Sequence, residues 1–180
     1  MTLAARFAAA IALACALAAP AVPGATPLAT VPALDLDRYL GVWHEIARYP
    51  NRFQEQCAGD VTATYTRNAD ATLGVVNACR KADGETMRAQ GQARVVTPPA
   101  TLAVRFAPAW LAWLPLVWGD YWVIDLADDY RYAVVGEPSR EYLWVLAREP
   151  RLADADWQRI VARLPALGYD PARLVRTPAS

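Results

Sequence analysis

The chain has 180 residues, with 18 basic and 18 acidic side chains, a formal net charge of zero and 55% hydrophobic residues. This length is typical of one domain, which can bury roughly 70% of the surface of its unfolded chain without a metal or a dense disulfide framework. Because positively charged side chains are not in excess, nucleic acid is not expected as a partner.

The first 18 residues are predicted to be a signal peptide. Arg6 supplies a positive start, residues 7–17 form an apolar run too short to span a bilayer, and residues 16–18 make a small-x-small cleavage site. Residues 19–33 are predicted to be a Pro/Ala-rich tether, because their prolines break helical structure. We therefore expect an exported protein whose folded domain covers residues 34–176.

Cysteine usage agrees with export to an oxidising compartment. Cys15 lies in the leader, which leaves Cys57 and Cys79 as an even pair in the mature chain. The residues around Cys15 are also similar to a lipoprotein box, although the residue three places before it is alanine instead of the usual leucine. Two destinations stay open: the periplasm after removal of the leader, or the outer membrane with a lipid on Cys15.

Short strand-like segments, separated by turn-like residues, fill most of the chain. Alternating apolar and polar side chains, rich in Val, Thr and Tyr, are typical of strands that bury one face. Hairpin-length links favour an all-β barrel or a sandwich. A helical turn is expected before the first strand, at residues 34–39, and a last short strand at residues 173–176. The predicted strands are residues 40–48, 60–66, 72–77, 88–96, 102–106, 121–126, 130–135 and 142–148.

One helix is predicted after the eighth strand. From Trp157 to Leu164 the apolar residues fall at i, i+3, i+4 and i+7, which forms a single stripe. Asp154 is a candidate N-cap, and Gly168 marks the end of the helix. We expect the stripe to pack on the outside of the sheet.

Three regions of the chain together resemble the signature regions of the lipocalins. Gly41-Val42-Trp43 opens the first strand, Asp129-Tyr130-Arg131-Tyr132 stands at the seventh, and Arg148 ends the eighth. Residues 43–48 are similar to the W-Y-E-I-A-R stretch of the bacterial lipocalin and apolipoprotein D branch, and the likeness extends over residues 34–176. His44 stands where that branch usually has tyrosine, and strand alternation predicts that it faces outward.

The resemblance implies an eight-stranded antiparallel up-and-down barrel, closed at one end, with the C-terminal helix packed outside. It implies that this cup binds a small hydrophobic ligand, in this branch a fatty acid or a lysophospholipid. Trp43 would close the floor with Arg148 over its ring, where cation–π attraction contributes about 0.5–2 kcal/mol. Gly41, Trp43, Asp129, Tyr130 and Arg148 are therefore expected to be structural.

Strand alternation selects the side chains that face the interior. Small residues on one wall and large ones on another leave room for a ligand, and an aromatic ring with a polar tip suits a lipid head group. Glu45 shares the parity of Trp43, so its carboxylate needs an inward arginine or ordered water as a partner. The alternative is that the inward residues simply fill the barrel. The predicted ligand contacts are Ala93, Val104, Phe106, Tyr121, Val123 and Trp144.

Cys57 precedes the predicted second strand and Cys79 follows the third. Antiparallel pairing of these strands brings their outer ends together, so we expect a disulfide that staples the hairpin near the mouth. Closing a loop of this size contributes about 3 kcal/mol in the chain-entropy estimate. Two free thiols are the alternative.

Residues 107–118 carry no charge and three tryptophans. On a cup this segment would connect strands five and six at the open mouth, where an exposed apolar loop marks a contact surface. Because tryptophan prefers membrane interfaces, we expect the segment to touch a membrane surface or to act as a lid on the pocket during lipid loading. Packing over the mouth, or a homodimer contact, are the alternatives. The candidate contact residues are Trp110, Trp113, Leu114 and Trp118.

The sequence argues against an enzyme. His44 is the sole histidine, and Ser139 and Ser180 are the only serines, so a serine–histidine relay is not expected. One histidine and two bonded cysteines do not form a typical zinc site, and no metal or cofactor is expected. The leading hypothesis is an envelope protein that stores, transports or repairs lipids. A filled barrel that acts as an interaction or scaffold protein is the alternative.

Overall fold

The structure is a computed structural model that describes residues 27–180. The predicted signal peptide, the lipidation candidate Cys15 and the first part of the predicted tether lie outside the described residues. No helix in the described part is long and apolar enough to cross a membrane. The helices are α1 (Leu36–Tyr39) and α2 (Asp154–Arg163), and the strands are β1 (Gly41–Arg48), β2 (Cys57–Arg67), β3 (Leu73–Lys81), β4 (Thr86–Thr97), β5 (Thr101–Arg105), β6 (Gly119–Leu126), β7 (Tyr132–Gly136), β8 (Leu143–Ala147) and β9 (Val175–Arg176).

The strands form one antiparallel sheet in the order β2-β3-β4-β5-β6-β7-β8-β1-β9, and β1 also pairs with β2. The first eight strands therefore close into a barrel, which confirms the predicted fold. Because β1 starts at the end that carries Trp43, the β1–β2, β3–β4, β5–β6 and β7–β8 connections all lie at the opposite, open end.

Side-chain alternation sorts the buried residues into two clusters. One fills the barrel and includes Trp43, Leu102 and Val123. The other lies outside the barrel wall, where Ile160 and Leu164 pack the helix against the sheet. The predicted position of the C-terminal helix is therefore confirmed, because its apolar stripe covers strand residues that point away from the interior.

Element ends differ from the prediction where local geometry intervenes. The seventh strand starts at Tyr132 because Tyr130, with φ of +65°, lies in a turn. Asp154 is not the N-cap; Ala153 holds that position without a side-chain hydrogen bond, and Asp154 is the first residue inside the helix. At this position the negative charge of Asp154 interacts favourably with the positive, N-terminal end of the helix dipole. As predicted, Gly168 ends the helical segment in the left-handed region.

The disulfide between Cys57 and Cys79 is present and joins β2 to β3, with 5.6 Å between the Cα atoms. The two cysteines lie within the strands and not beyond them as predicted, since both strands extend further toward the open end. The bond therefore fixes this hairpin at the mouth.

The described part of the predicted tether packs on the barrel. Leu28 joins the cluster outside the barrel wall, and Val31 joins the cluster inside. The Val31 amide also donates a hydrogen bond of 2.9 Å to the carbonyl of Val123. Residues 28–31 thus form part of the folded domain, because their apolar side chains find uncovered barrel surface.

The C-terminal tail fills a gap in the barrel wall. β1 and β2 pair only at residues 41–44 and 62–65, near the floor, and farther up β9 pairs with β1 instead. Beyond β9, the Thr177 amide donates to Ile46, and Pro178 accepts from the Asp60 amide of β2. The tail thereby bridges two strands that have separated, and it satisfies backbone groups that would otherwise form an open edge.

Candidate ligand-binding site

The floor of the barrel is closed by Trp43. Its ring is fully buried and its Nε1 donates to the carbonyl of Tyr39 at 2.8 Å. The guanidinium of Arg148 lies 3.8 Å above the ring centre, as the signature residues implied. It also donates to the carbonyls of Val42 and Arg38. Arg148 thus joins the ring, the helical turn and β1 into one plug.

The remaining signature residues support this plug. Gly41 has φ of +94°, a backbone conformation that L side chains rarely adopt, so glycine suits this position. The Tyr130 hydroxyl accepts from the Asp35 amide at 2.7 Å. Asp129 accepts from the amide and side chain of Arg131, which holds the turn. These contacts join the signature residues to one another and to the backbone at the closed end, which agrees with the structural role expected of them.

Exposure of the inward side chains increases toward the open end. On β5, Leu102 is 1% exposed and Val104 is partly exposed, and Phe106, just beyond the end of this strand, is 42% exposed. On β6, Val123 is fully buried while Tyr121, nearer the mouth, is partly exposed. The lower barrel is therefore packed and the upper barrel is accessible. We call the accessible part the upper chamber; its lining includes Asn77, Ala89, Val104, Tyr121 and Trp144.

The six predicted ligand contacts divide between these two layers. Four of them, Val104, Phe106, Tyr121 and Trp144, are accessible at the upper chamber or its mouth. Ala93 and Val123 are buried in the packed layer below it. Ligand contact stays a prediction for all six, and the geometry favours the first four.

Three tyrosine hydroxyls meet at the lower end of the upper chamber, where Tyr39 and Tyr65 are buried and Tyr121 is partly exposed. The Tyr121 hydroxyl lies 2.8 Å from that of Tyr39 and accepts from that of Tyr65, also at 2.8 Å. Burial raises the pKa of all three, that of Tyr65 to about 12, so they are neutral at physiological pH. Three O–H donors thus make two hydrogen bonds, and one hydrogen lacks an acceptor within residues 27–180. An oxygen atom of a ligand or of water would satisfy it.

A further polar group faces the chamber from β3. Asn77 lies in register with Ala63 and Ala89, on the same face as the buried Val75. Its Oδ1 is buried and has no hydrogen-bond partner in the described structure. Because a buried amide oxygen without a partner costs free energy, a donor on a bound molecule would be favourable there.

A polar site at the rim of the barrel surrounds Glu45. Its side chain is 3% exposed and pairs with Arg48 Nη1 at 2.7 Å, so an inward arginine, one of the two partners that the sequence left open, is present. Gln54 and Thr177 also donate to the Glu45 carboxylate. Trp144 in turn donates to Gln54. We call Glu45, Arg48, Gln54 and Trp144 the rim site.

The tryptophan-rich connection between β5 and β6 projects from the open end. Trp110 and Trp113 are 73% and 76% exposed, so they do not fold over the mouth. Leu114 is partly buried. Trp118 differs from the expectation, because its ring lies 4.0 Å from the Arg94 guanidinium and its Nε1 donates to Ala112. The exposed apolar surface therefore belongs to the tip of the loop.

Sequence reasoning missed Tyr39, Tyr65, Asn77 and Gln54 as interior polar groups. Alternation along the second and third strands places Tyr65 and Asn77 on the inner face, so that signal was present. Nothing local marks Tyr39 or Gln54, which reach the interior from a helical turn and a loop. Within residues 27–180 no group of three or more His, Cys, Asp or Glu side chains is placed to hold a metal ion.

A closed barrel with a plugged floor, an accessible upper chamber and an external helix defines a cup-shaped ligand-binding protein. The chain belongs to the lipocalin family: the Lipocalin-like domain matches residues 34–179. Membership supports the binding of a small hydrophobic ligand in the cup. His44 takes part in the pairing of β1 with β2 and β8, outside the polar sites of the interior.

Two curated relatives illustrate the range of the family. The chain is 38% identical to temperature-induced lipocalin-1 of Arabidopsis thaliana, over 83% of this chain and 82% of the relative. It is 35% identical to the outer membrane lipoprotein Blc of Escherichia coli (strain K12), over 78% of this chain and 77% of the relative. Among solved structures, insecticyanin from the tobacco hornworm Manduca sexta has a TM-score of 0.65 at 19% identity, covering 84% of each chain. That likeness shows the shared fold alone.

Proposed function

We propose that this protein binds a single-chain amphiphile, a fatty acid or a lysophospholipid, and serves in the storage, transport or repair of envelope lipids. The observation that carries the proposal is the polarity pattern of the interior. An accessible chamber with the apolar Val104 and Ala89 on its walls lies between the hydroxyls of the tyrosine cluster and the rim site. An acyl chain suits the walls, and a polar end group suits either end.

Filling the chamber tests this proposal. Replacing Val104, which faces the chamber, by tryptophan should weaken binding of a fluorescent fatty acid at least tenfold, because the added ring occupies the space of the acyl chain. The matched control is Val96→Trp, since Val96 is exposed on β4. Native mass spectrometry of the purified protein should show co-purified lipid for the control only. Equal binding by both variants would contradict a site in the chamber, and absence of binding and of co-purified lipid from both would favour the filled-barrel alternative.

We propose further that Trp110 and Trp113 contact a membrane surface during lipid exchange. The support is their exposure, together with a segment of twelve residues, 107–118, that has no charge. Liposome flotation of the Trp110→Ser/Trp113→Ser variant should show lost membrane association, with Cys15→Ser in all samples to exclude lipidation. Val96→Ser/Val175→Ser is a control for exposed apolar residues elsewhere. Unchanged flotation combined with a concentration-dependent dimer would favour the homodimer alternative.

Export is the third part of the proposal. The leader-like start, the disulfide and a relative named outer membrane lipoprotein support it, whereas the plant relative carries no such name. Fractionation of cells with and without the Cys15→Ser change separates the two destinations. Movement from membrane to periplasm indicates lipidation, and an unchanged periplasmic location indicates removal with the leader.

A further inference from the structure

The wall of the upper chamber has a gap between two neighbouring strands. β1 and β2 pair as far as His44 and Thr62, and above this height they separate. Strand alternation places Glu45 of β1 and Val61 of β2 on the inner face there, and both are buried. Such a gap connects the chamber with the outside unless another part of the chain fills it.

Residues 177–180 fill the gap, and we call them the wall segment. The Thr177 amide donates to the backbone of β1 at 3.0 Å, and the Pro178 carbonyl accepts from the Asp60 amide of β2 at 2.8 Å. The Ser180 amide also donates to the Asp60 carboxylate, at 2.7 Å. The wall segment thus forms hydrogen bonds to both strands and completes the wall in place of a direct β1–β2 ladder.

The inner side of the wall segment contacts the rim site. The Thr177 hydroxyl donates to Glu45 Oε1 at 2.5 Å. Arg48 and Gln54 donate to the same carboxylate, so Glu45 keeps two donors when Thr177 moves away. Departure of the wall segment would therefore open the chamber from the side without leaving a buried charge unpaired.

The wall segment fits closely against β2 but is itself little buried. A Cβ at Gly59 of β2 would lie 2.5 Å from the Pro178 carbonyl oxygen, so this approach depends on glycine. Residues 178–180 are nevertheless exposed, and no residue of the wall segment belongs to a buried apolar cluster. Segments with few buried apolar contacts and exposed hydrogen bonds open at a far lower free energy than the whole fold. The wall segment has both properties.

β9, which precedes the wall segment, is held by further contacts. The Arg176 guanidinium lies 3.5 Å from the ring centre of Trp157 on α2, and β9 pairs with β1. Movement is therefore confined to the residues beyond Arg176. Because neighbouring strands lie about 4.8 Å apart, removal of one segment from between β1 and β2 leaves their backbones about 10 Å apart. An opening of this width admits an acyl chain.

We propose that the wall segment is a gate, whose release opens a lateral entrance for the acyl chain of a ligand into the upper chamber. The inference rests on the proposed lipid-binding function. A chain that enters sideways does not have to pass lengthwise through the mouth, between the rim site and the tryptophan-rich loop. A gate alters the path and not the bound state, so it changes the association and dissociation rate constants by the same factor.

Stopped-flow binding of a fluorescent fatty acid tests the gate with two variants. One lacks residues 177–180, and the other, Gly59→Ala, removes the space that Pro178 occupies. We expect both rate constants to rise about tenfold in each variant, while the dissociation constant changes less than about threefold. Gly74→Ala is the matched control, because its Cβ would also lie too close to a neighbour, 2.7 Å from Thr66 Oγ1, but contacts no part of the wall segment. It should keep the wild-type rate constants.

Hydrogen exchange of the unliganded wild-type protein measures the opening directly. The amides of Thr177 and Asp60 donate at the two sides of the gap, so they should share one protection factor, at least about tenfold below those of residues 62–65. This measurement and Gly59→Ala remain decisive if the shortened chain does not fold. Unchanged rate constants in the variants, or a rise in the dissociation rate constant alone, would overturn the gate and leave the proposed function standing. Failure of the wild-type protein to bind the fatty acid would overturn both.

Discussion

Replacing Arg148 by methionine should destabilise the fold by about 2–3 kcal/mol. Methionine keeps an apolar stem over Trp43 but removes the charge that lies 3.8 Å from the ring centre, a contact worth about 0.5–2 kcal/mol. It also removes the two charged hydrogen bonds to the carbonyls of Val42 and Arg38. Together these contribute about 1–2 kcal/mol, because they lie at the accessible end of the plug.

Urea unfolding followed by circular dichroism measures this loss. The control is Arg88→Met, since Arg88 is exposed and makes no hydrogen bond or ring contact within residues 27–180. A double-mutant cycle with Trp43→Leu isolates the ring contact, which should couple by about 1 kcal/mol. If Arg148→Met changes the free energy of unfolding by no more than the control, the guanidinium does not hold the floor together.

Three further changes probe the mouth, the tyrosine cluster and the outer wall. The Cys57→Ala/Cys79→Ala variant should lose about 3 kcal/mol in urea unfolding, because the bond closes a loop across a separation of 22 residues. Burial raises the pKa of Tyr65 to about 12 from 10.0, so the stability that the folded state gains is complete below pH 10 and disappears as pH rises through 12. Tyr65→Phe should make the decline of the urea midpoint between pH 10 and 12 shallower; an unchanged slope would contradict the burial argument. Gly136→Ala should cost about 1–3 kcal/mol, because its Cβ would lie 2.2 Å from the Tyr169 hydroxyl. Tyr169→Phe has a cost of its own, since that hydroxyl makes two hydrogen bonds to the Glu137 backbone, so the loss in Gly136→Ala/Tyr169→Phe should be smaller than the sum of the two single losses; additive losses would contradict the clash.

The closed end was predictable because its parts carry local signals. Trp43 and Arg148 stand at fixed places on strands whose alternation is visible in the sequence, and their ring contact follows once those strands are neighbours. The tyrosine cluster was not predictable in the same way. The cluster combines Tyr65 of β2, Tyr121 of β6 and Tyr39 of the helical turn. Their meeting depends on the register of distant strands, which no single segment of the sequence encodes.

The inward position of Arg48 shows a second limit of pattern reasoning. Strict alternation from Trp43 places Glu45 inside and Arg48 outside. The structure has a register shift between Glu45 and Ala47, after which Arg48 pairs with the inward Trp144. A bulge inserts one residue and reverses the faces beyond it. Hydrophobic patterning does not reveal such a shift when the next residues are an alanine and an arginine.

The composition of the tryptophan-rich loop predicts one of its properties, an apolar contact surface, but not which of its tryptophans are exposed. Its lack of charge predicts an apolar contact surface, and Trp110 and Trp113 agree with that expectation. Composition does not distinguish them from Trp118, which is covered because Arg94 and Arg105 approach its ring from neighbouring strands. That contact depends on sheet register, which places distant residues side by side.

The position of the C-terminal tail also has a consequence for the order of folding. β1 is the first strand in the sequence, yet it pairs with β8 and β9, which follow about a hundred residues later. The remaining neighbours in the barrel follow one another directly in the chain, so hairpins can assemble locally before the barrel closes. Because closing so long a loop is entropically costly, we expect the wall to close last and on the slow time scale of all-β proteins. Until then, the upper part of β1 exposes backbone groups to any other extended chain nearby.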